Sequence, residues 1–146
     1  GRMVELIKRG EPAVMLCHWP GMYTQGTKQG FAAFKKVVKA ISSRYSNQTI
    51  WMKISEIGRY WAAKELTRIE HGNRKVSFQA PFGTPRFTVQ LPIQATAVPK
   101  LMTQQRSLSL ERVNKPQLLQ PGKWLADSDG MIVCFDLPRG SSQLSW

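Results

Sequence analysis

A chain of 146 residues with 42% hydrophobic and 21% charged residues has the balance of one globular domain, or of a small domain joined to part of another, and excludes a disordered polymer. Twenty-one Lys and Arg against nine acidic residues leave a net charge of +12. That excess fits a polyanionic partner such as a nucleic acid or an acidic polysaccharide, and equally a solvated basic face. No apolar run reaches the ~18 residues that a bilayer-crossing helix needs, and the opening Gly1-Arg2-Met3-Val4-Glu5 is not followed by the apolar stretch of a secretory signal.

Residues 1–75 hold fourteen basic residues against five acidic ones, and residues 76–146 hold seven against four, so the charge is concentrated in the first half. Pro12 to Cys17 (Pro-Ala-Val-Met-Leu-Cys) is a short continuous apolar run, the pattern of a strand buried on both faces in a parallel sheet. His18-Trp19-Pro20-Gly21 turns the chain, residues 21–27 form a loop, and Thr27 is a candidate helix N-cap. Phe31, Phe34, Val38, Ile41 and Tyr45 then recur at spacings of three and four, one face of an α-helix over 28–45. Ser46-Asn47-Gln48 closes it. Thr49 to Ile54 reads as a second strand, and Ser55 caps a second helix to about Arg68, with Ile57, Tyr60 and Trp61 inward. Strand, helix, strand, helix in this rhythm predicts two βα units, a partial barrel or parallel sheet, over residues 1–70.

From His71-Gly72-Asn73 onward the texture changes. Val76-Ser77-Phe78, Arg86 to Leu91 and Leu108 to Val113 alternate with period two, Met131 to Phe135 is a further apolar strand, and six prolines between 81 and 121 punctuate them. This pattern predicts an antiparallel β-rich, sandwich-like segment over 71–146. Asp127-Ser128-Asp129-Gly130 has the opening of a calcium loop without its later ligands, and reads as a turn before that last strand. Cys17 and Cys134 both sit in apolar runs, where free buried thiols are expected. No phosphate-binding loop, nucleophile elbow or paired-cysteine metal motif is present.

Two βα units do not close a sheet, and a strand buried on both faces needs further neighbours, from an upstream segment or a second copy. The chain therefore reads as a fragment of a larger protein. Its most suggestive position is His18, where an apolar strand meets a loop, the edge at which α/β proteins bind ligands. An imidazole there serves as general acid or base, or simply hydrogen-bonds a loop carbonyl. Trp19 and Tyr23 beside it either stack on a sugar ring or plug the sheet end.

Leu16-Cys17-His18, then Gly30-Phe31-Ala32-Ala33-Phe34, then Ile50-Trp51-Met52-Lys53-Ile54-Ser55-Glu56-Ile57 together resemble the last βαβα portion of NodB-type polysaccharide deacetylases, over about residues 13–61. The resemblance implies a carbohydrate-active hydrolase that removes an acetyl group with the help of a divalent metal such as zinc. By the same resemblance His18 protonates the leaving amine, Leu16 lines the acetyl pocket, and Trp19 and Tyr23 shape the sugar subsite, with a carbohydrate polymer as partner. The family's Asp-Asp pair and His-x-x-x-His metal pair are absent: the histidines are His18 and His71, and the aspartates are Asp127, Asp129 and Asp136. No metal ligand set is therefore expected in this chain, which should be inactive alone, with zinc belonging to the full-length parent. The alternative reading is a non-enzymatic basic module that grips an anionic polymer, polysaccharide or nucleic acid, through its β half together with the basic face of Lys28, Lys35, Lys36, Lys39 and Arg44.

Overall fold

Four α-helices and nine β-strands make up the described residues, 1–93 and 97–146, of the computed structural model. The chain is mixed α/β, as expected, and divides into two units, Gly1–Ile57 and Gly58–Trp146.

The first unit holds α1 (Arg2–Lys8), α2 (Trp19–Tyr23), α3 (Gln29–Tyr45) and the start of α4 (Ile54–Leu66). The periodicity read from the sequence is visible in α3, where Phe34, Val38, Ile41 and Tyr45 are half-buried along one stripe while Phe31 is exposed. Entry into α3 differs from expectation. Lys28 is the N-cap, in the left-handed region, and the Thr27 hydroxyl instead donates to the Thr24 carbonyl. Thr24 ties this loop together: its hydroxyl donates to the Gly21 carbonyl at 3.0 Å and accepts the Gly30 N–H at 3.2 Å. Gly30 must lack a side chain, because a Cβ there would run into the Gly21 carbonyl, and α2 and α3 can meet this closely only at glycines. At α4 the cap is again not the expected one. Ser55 lies inside the helix, and the Glu56 carboxylate accepts the Lys53 N–H at 2.6 Å, the returning half of a capping box.

Neither predicted strand of this half forms. Residues 12–17 and 49–53 have no regular structure, and Leu16 is 81% exposed. An apolar run becomes a strand only where a neighbouring edge takes up its N–H and C=O groups. Among the described residues no strand pairs with either segment. The two βα units and their partial barrel or parallel sheet are therefore absent here. Trp61, expected inward, is exposed, as are Trp51 of the expected second strand and Cys17.

The second unit carries every strand: β1 (Arg68–Gly72), β2 (Lys75–Ala80), β3 (Thr84–Leu91), β4 (Lys100–Thr103), β5 (Ser107–Ser109), β6 (Glu111–Val113), β7 (Lys123–Asp127), β8 (Gly130–Leu137) and β9 (Gly140–Ser145). They form a five-stranded sheet in the order β1-β2-β9-β4-β5 and a four-stranded sheet in the order β3-β8-β7-β6. All pairings are antiparallel except β6 with β7. Three of the four predicted β segments of this half, 76–78, 86–91 and 131–135, fall within observed strands. The run 108–113 is divided at Leu110, which is buried and donates its N–H to the Pro99 carbonyl, and there the chain passes from one sheet to the other. Asp127 to Gly130 is the turn of the β7–β8 hairpin, closed by the Asp127 carboxylate accepting the Asp129 N–H at 2.9 Å.

Alternation builds the interior. Val76, Phe78, Ala80, Leu101 and Leu144 from the five-stranded sheet share one apolar cluster with Phe87, Leu91, Trp124, Met131, Val133, Phe135 and Leu137 from the other. At its centre Phe78 meets Phe135 at 5.3 Å and Phe87 at 6.4 Å between ring centroids, with Phe87 and Phe135 5.9 Å apart. Such tilted and edge-on contacts are the favoured ring geometries. Ala63 of α4 is buried in the cluster, and the Tyr60 hydroxyl lies against the Thr88 backbone, 3.3 Å from its carbonyl. In β3 the register slips between Thr84 and Phe87. Arg86 takes up the extra residue with φ +56, and its N–H is satisfied by the Asp136 carboxylate at 3.0 Å, which is how a bulge is stabilised.

Phe135→Ala should lower the stability of the β unit by about 3–5 kcal/mol, since it empties the ring cluster. Gly130 holds φ +133 in a turn where a Cβ would strike the Leu91 carbonyl, so Gly130→Ala should cost more than about 1 kcal/mol. Urea unfolding followed by tryptophan fluorescence measures both; near-wild-type midpoints would contradict the shared core and the turn geometry respectively.

Candidate functional site

The alternation that points Val76, Phe78 and Ala80 inward turns Lys75, Ser77 and Gln79 outward, and strand pairing repeats this across the five-stranded sheet. Three rows result. Arg68, Gln79 and Ser141 lie side by side on β1, β2 and β9. Glu70, Ser77, Gln143, Met102 and Ser107 form the next row across all five strands. Gly72, Lys75, Ser145, Lys100 and Ser109 form the third. Met102 is the one apolar side chain in these rows.

The first two rows floor an open concavity of about 580 Å³, whose rim is completed by Thr103 and Gln104. Its polar groups are already engaged with one another. The Ser141 hydroxyl donates to Gln79 Oε1 at 2.6 Å, and Gln143 Nε2 donates to the Ser77 hydroxyl at 3.3 Å. The rim is fixed as well: the Thr103 hydroxyl accepts the Gln105 and Arg106 N–H groups at 3.3 and 3.1 Å. Amides and hydroxyls offer both donors and acceptors, the inventory that matches a polyhydroxylated ligand. Chemistry is another matter. The lining contains a single carboxylate, Glu70, and neither histidine nor cysteine among the described residues. The geometry suits binding.

The residues singled out from the sequence stand elsewhere, in the first unit. His18 is the N-cap of α2, in extended conformation, and its carbonyl accepts the Met22 N–H at 3.1 Å. Trp19, 72% exposed, and Tyr23 one turn later bring their rings to 5.4 Å at a tilt of 50°. Leu16 precedes them in the irregular segment. The structure thus gathers His18, Trp19 and Tyr23 on one helical turn, but the residues before them, 11–17, form no described strand, and Leu16 is itself almost fully exposed. Among the described residues no group of three His, Cys, Asp or Glu side chains is placed to hold a metal ion. No described helix is long and apolar enough to cross a membrane.

Sequence reasoning missed the outward rows. Period two was legible at 76–78, but β9 reads Gly-Ser-Ser-Gln-Leu-Ser, with Leu144 as its one large apolar inward residue, too faint a signal for a central strand. Its pairing with β2 and β4, fixed only by tertiary structure, is what aligns Gln143 with Ser77. No protein-family model, curated protein or solved structure matches this chain.

The cysteines are free, Cys17 exposed and Cys134 buried. Burial pushes the Cys134 thiol up, a Thr88 hydrogen bond and the Arg86 charge opposing it less strongly. A raised thiol pKa favours folding below the ordinary thiol range and loses that contribution at alkaline pH. Iodoacetamide at neutral pH should therefore label Cys17 rapidly and spare Cys134 until denaturant is added, as read by mass spectrometry. Equal labelling in the folded protein would contradict the burial of β8.

Proposed function

We propose that this chain is the polysaccharide-holding part of a carbohydrate-active hydrolase, and that its β unit works as a sandwich-like binding module through the outer face of the five-stranded sheet. The observation that carries this reading is the ordered row of Ser77 and Gln143 beside Gln79 and Ser141, amides and hydroxyls that line an open concavity of about 580 Å³. Adjacent strands are about 4.8 Å apart, close to the length of one pyranose along a chain, so successive sugars lying across the strands meet successive strands. Met102 offers the one apolar contact for a ring face.

The hydrolytic half of the reading rests on the deacetylase resemblance of residues 13–61. In it the parent enzyme removes an acetyl group, His18 holds the proton destined for the leaving amine, Leu16 borders the acetyl pocket, and the exposed Trp19–Tyr23 pair borders the sugar subsite. The His, Cys, Asp and Glu side chains described here do not fit a metal, so no step through zinc is derived from this chain. By itself it binds and does not cleave.

Affinity electrophoresis of the full chain through gels cast with soluble polysaccharides tests the proposal. The chain should be retarded, and Gln79→Ala with Gln143→Ala should weaken retention about tenfold, the loss expected when two desolvated polar contacts are removed at ~0.5–1.5 kcal/mol each, while circular dichroism stays unchanged. Free migration through every gel, or retention untouched by the double substitution, would sink it.

A further inference from the structure

Resting on that polysaccharide reading, we infer that the polymer is an acidic one carrying a carboxylate on every second sugar, and that Lys75 and Lys100 are the residues that select it. Both lysines pair with the same residue, Ser145 of the central strand β9, one from each side. Their backbones are therefore two strand spacings apart on a single face, about 10 Å. In an extended β-1,4-linked pyranose chain, whose linkages are equatorial at both ends, alternate rings face opposite ways, so substituents on one side recur every second ring, over nearly the same distance. A carboxylate on each such ring is reached by one flexible lysine stem, that of Lys75 swinging back from its position across β1, and the intervening ring lies over the Ser145 hydroxyl.

The usual reason for lysine on a sheet does not apply. Lysines blunt exposed edge strands, but the edges here are β1 and β5, whereas β2 and β4 are interior. Neither lysine is used internally, since the ion pairs among the described residues are Arg9–Glu11 and Lys123–Glu111. Room is made for one of them: a Cβ on Gly72 would press within 3.0 Å of the Lys75 methylene stem, so glycine at that position lets the stem lie across β1. The charged groups on this face are Arg68, Glu70, Lys75 and Lys100, a sum of +2. Glu70 stands in the middle row and repels a carboxylate there, which places the acidic substituents along the lysine row and leaves the hydroxyls over Ser77 and Gln143.

The test is equilibrium binding of the full chain to three polymers: an unsulfated chain of alternating hexuronate and N-acetylhexosamine, the same chain with its carboxylates reduced to alcohols, and double-stranded DNA. The acidic chain should bind about tenfold more tightly than the reduced one, and the preference should shrink as salt is raised. Lys75→Gln with Lys100→Gln should abolish the preference and leave binding of the reduced chain intact. Lys36→Gln with Lys39→Gln, the same change of charge on α3, should leave it unaltered. Equal affinity for the acidic and reduced chains overturns the inference while leaving the polysaccharide reading in place. So does an equal loss from the two lysine pairs, or DNA bound as tightly as the acidic chain, either of which marks unselective charge. Failure to bind both glycans overturns the inference and the polysaccharide reading together.

Discussion

The contact of Phe78 with Phe87 and Phe135 decides the geometry of everything useful in the β unit. It joins the inner faces of the two sheets within the cluster that also holds Val76, Leu101, Leu144, Met131 and Val133. Because side chains alternate along a strand, committing Val76, Phe78 and Ala80 to that contact commits Lys75, Ser77 and Gln79 to the opposite face. A slip of one residue in β2 would bury a lysine and two polar side chains and expose a phenylalanine. The ring cluster is therefore also what holds the outward rows in register. Burying ring surface at roughly 25 cal/mol per Å² outweighs anything the exposed polar contacts on the outer face contribute, so that face is free to vary in chemistry without endangering the fold.

The first unit has no comparable anchor. Among its described residues Ile7 alone is buried, and what orders α2 and α3 is local: the Thr24 hydroxyl between Gly21 and Gly30, and the half-buried stripe from Phe34 to Tyr45. Val14, Leu16, Trp19, Ile50, Trp51 and Ile54 are exposed together with the basic side chains of α3. Single exposed apolar residues are ordinary, whereas this many in fewer than sixty residues contrasts with the closed interior of the β unit.

This contrast explains what could be read from the sequence. The β half was legible because each strand finds its partners within the described chain, so that period-two patterns at 76–78, 86–91 and 131–135 and the turn at Asp127-Gly130 appear where they were expected. The helix of 29–45 was legible because a 3.6-residue stripe needs no distant partner to be a helix. The segments 12–17 and 49–53 failed for the opposite reason: an apolar run specifies burial, and burial in a sheet depends on an edge that the run itself cannot provide. The candidate residues followed the same division. His18, Trp19 and Tyr23 came together because they occupy one helical turn, whereas Gln143 and Lys100 were invisible because their meaning arises from a pairing between residues more than forty apart.

That last point bears on how a binding face differs from a catalytic centre. A catalytic residue announces itself by type, since few side chains titrate near neutrality or attack an acyl carbon. A polymer-holding face is built from serine, glutamine and lysine, the commonest surface residues, and acquires specificity only through spacing. Here the spacing is set by hydrogen-bonded strands at about 4.8 Å, a ruler that no residue along the sheet can change without breaking the ladder. In the proposed selection Lys75 and Lys100 act together because Ser145 lies between them, and Ser145 is held there by the same β2–β9–β4 pairing that seats Leu144 in the core. On that proposal, recognition on this face follows from the core's register, read out one residue further along the strand.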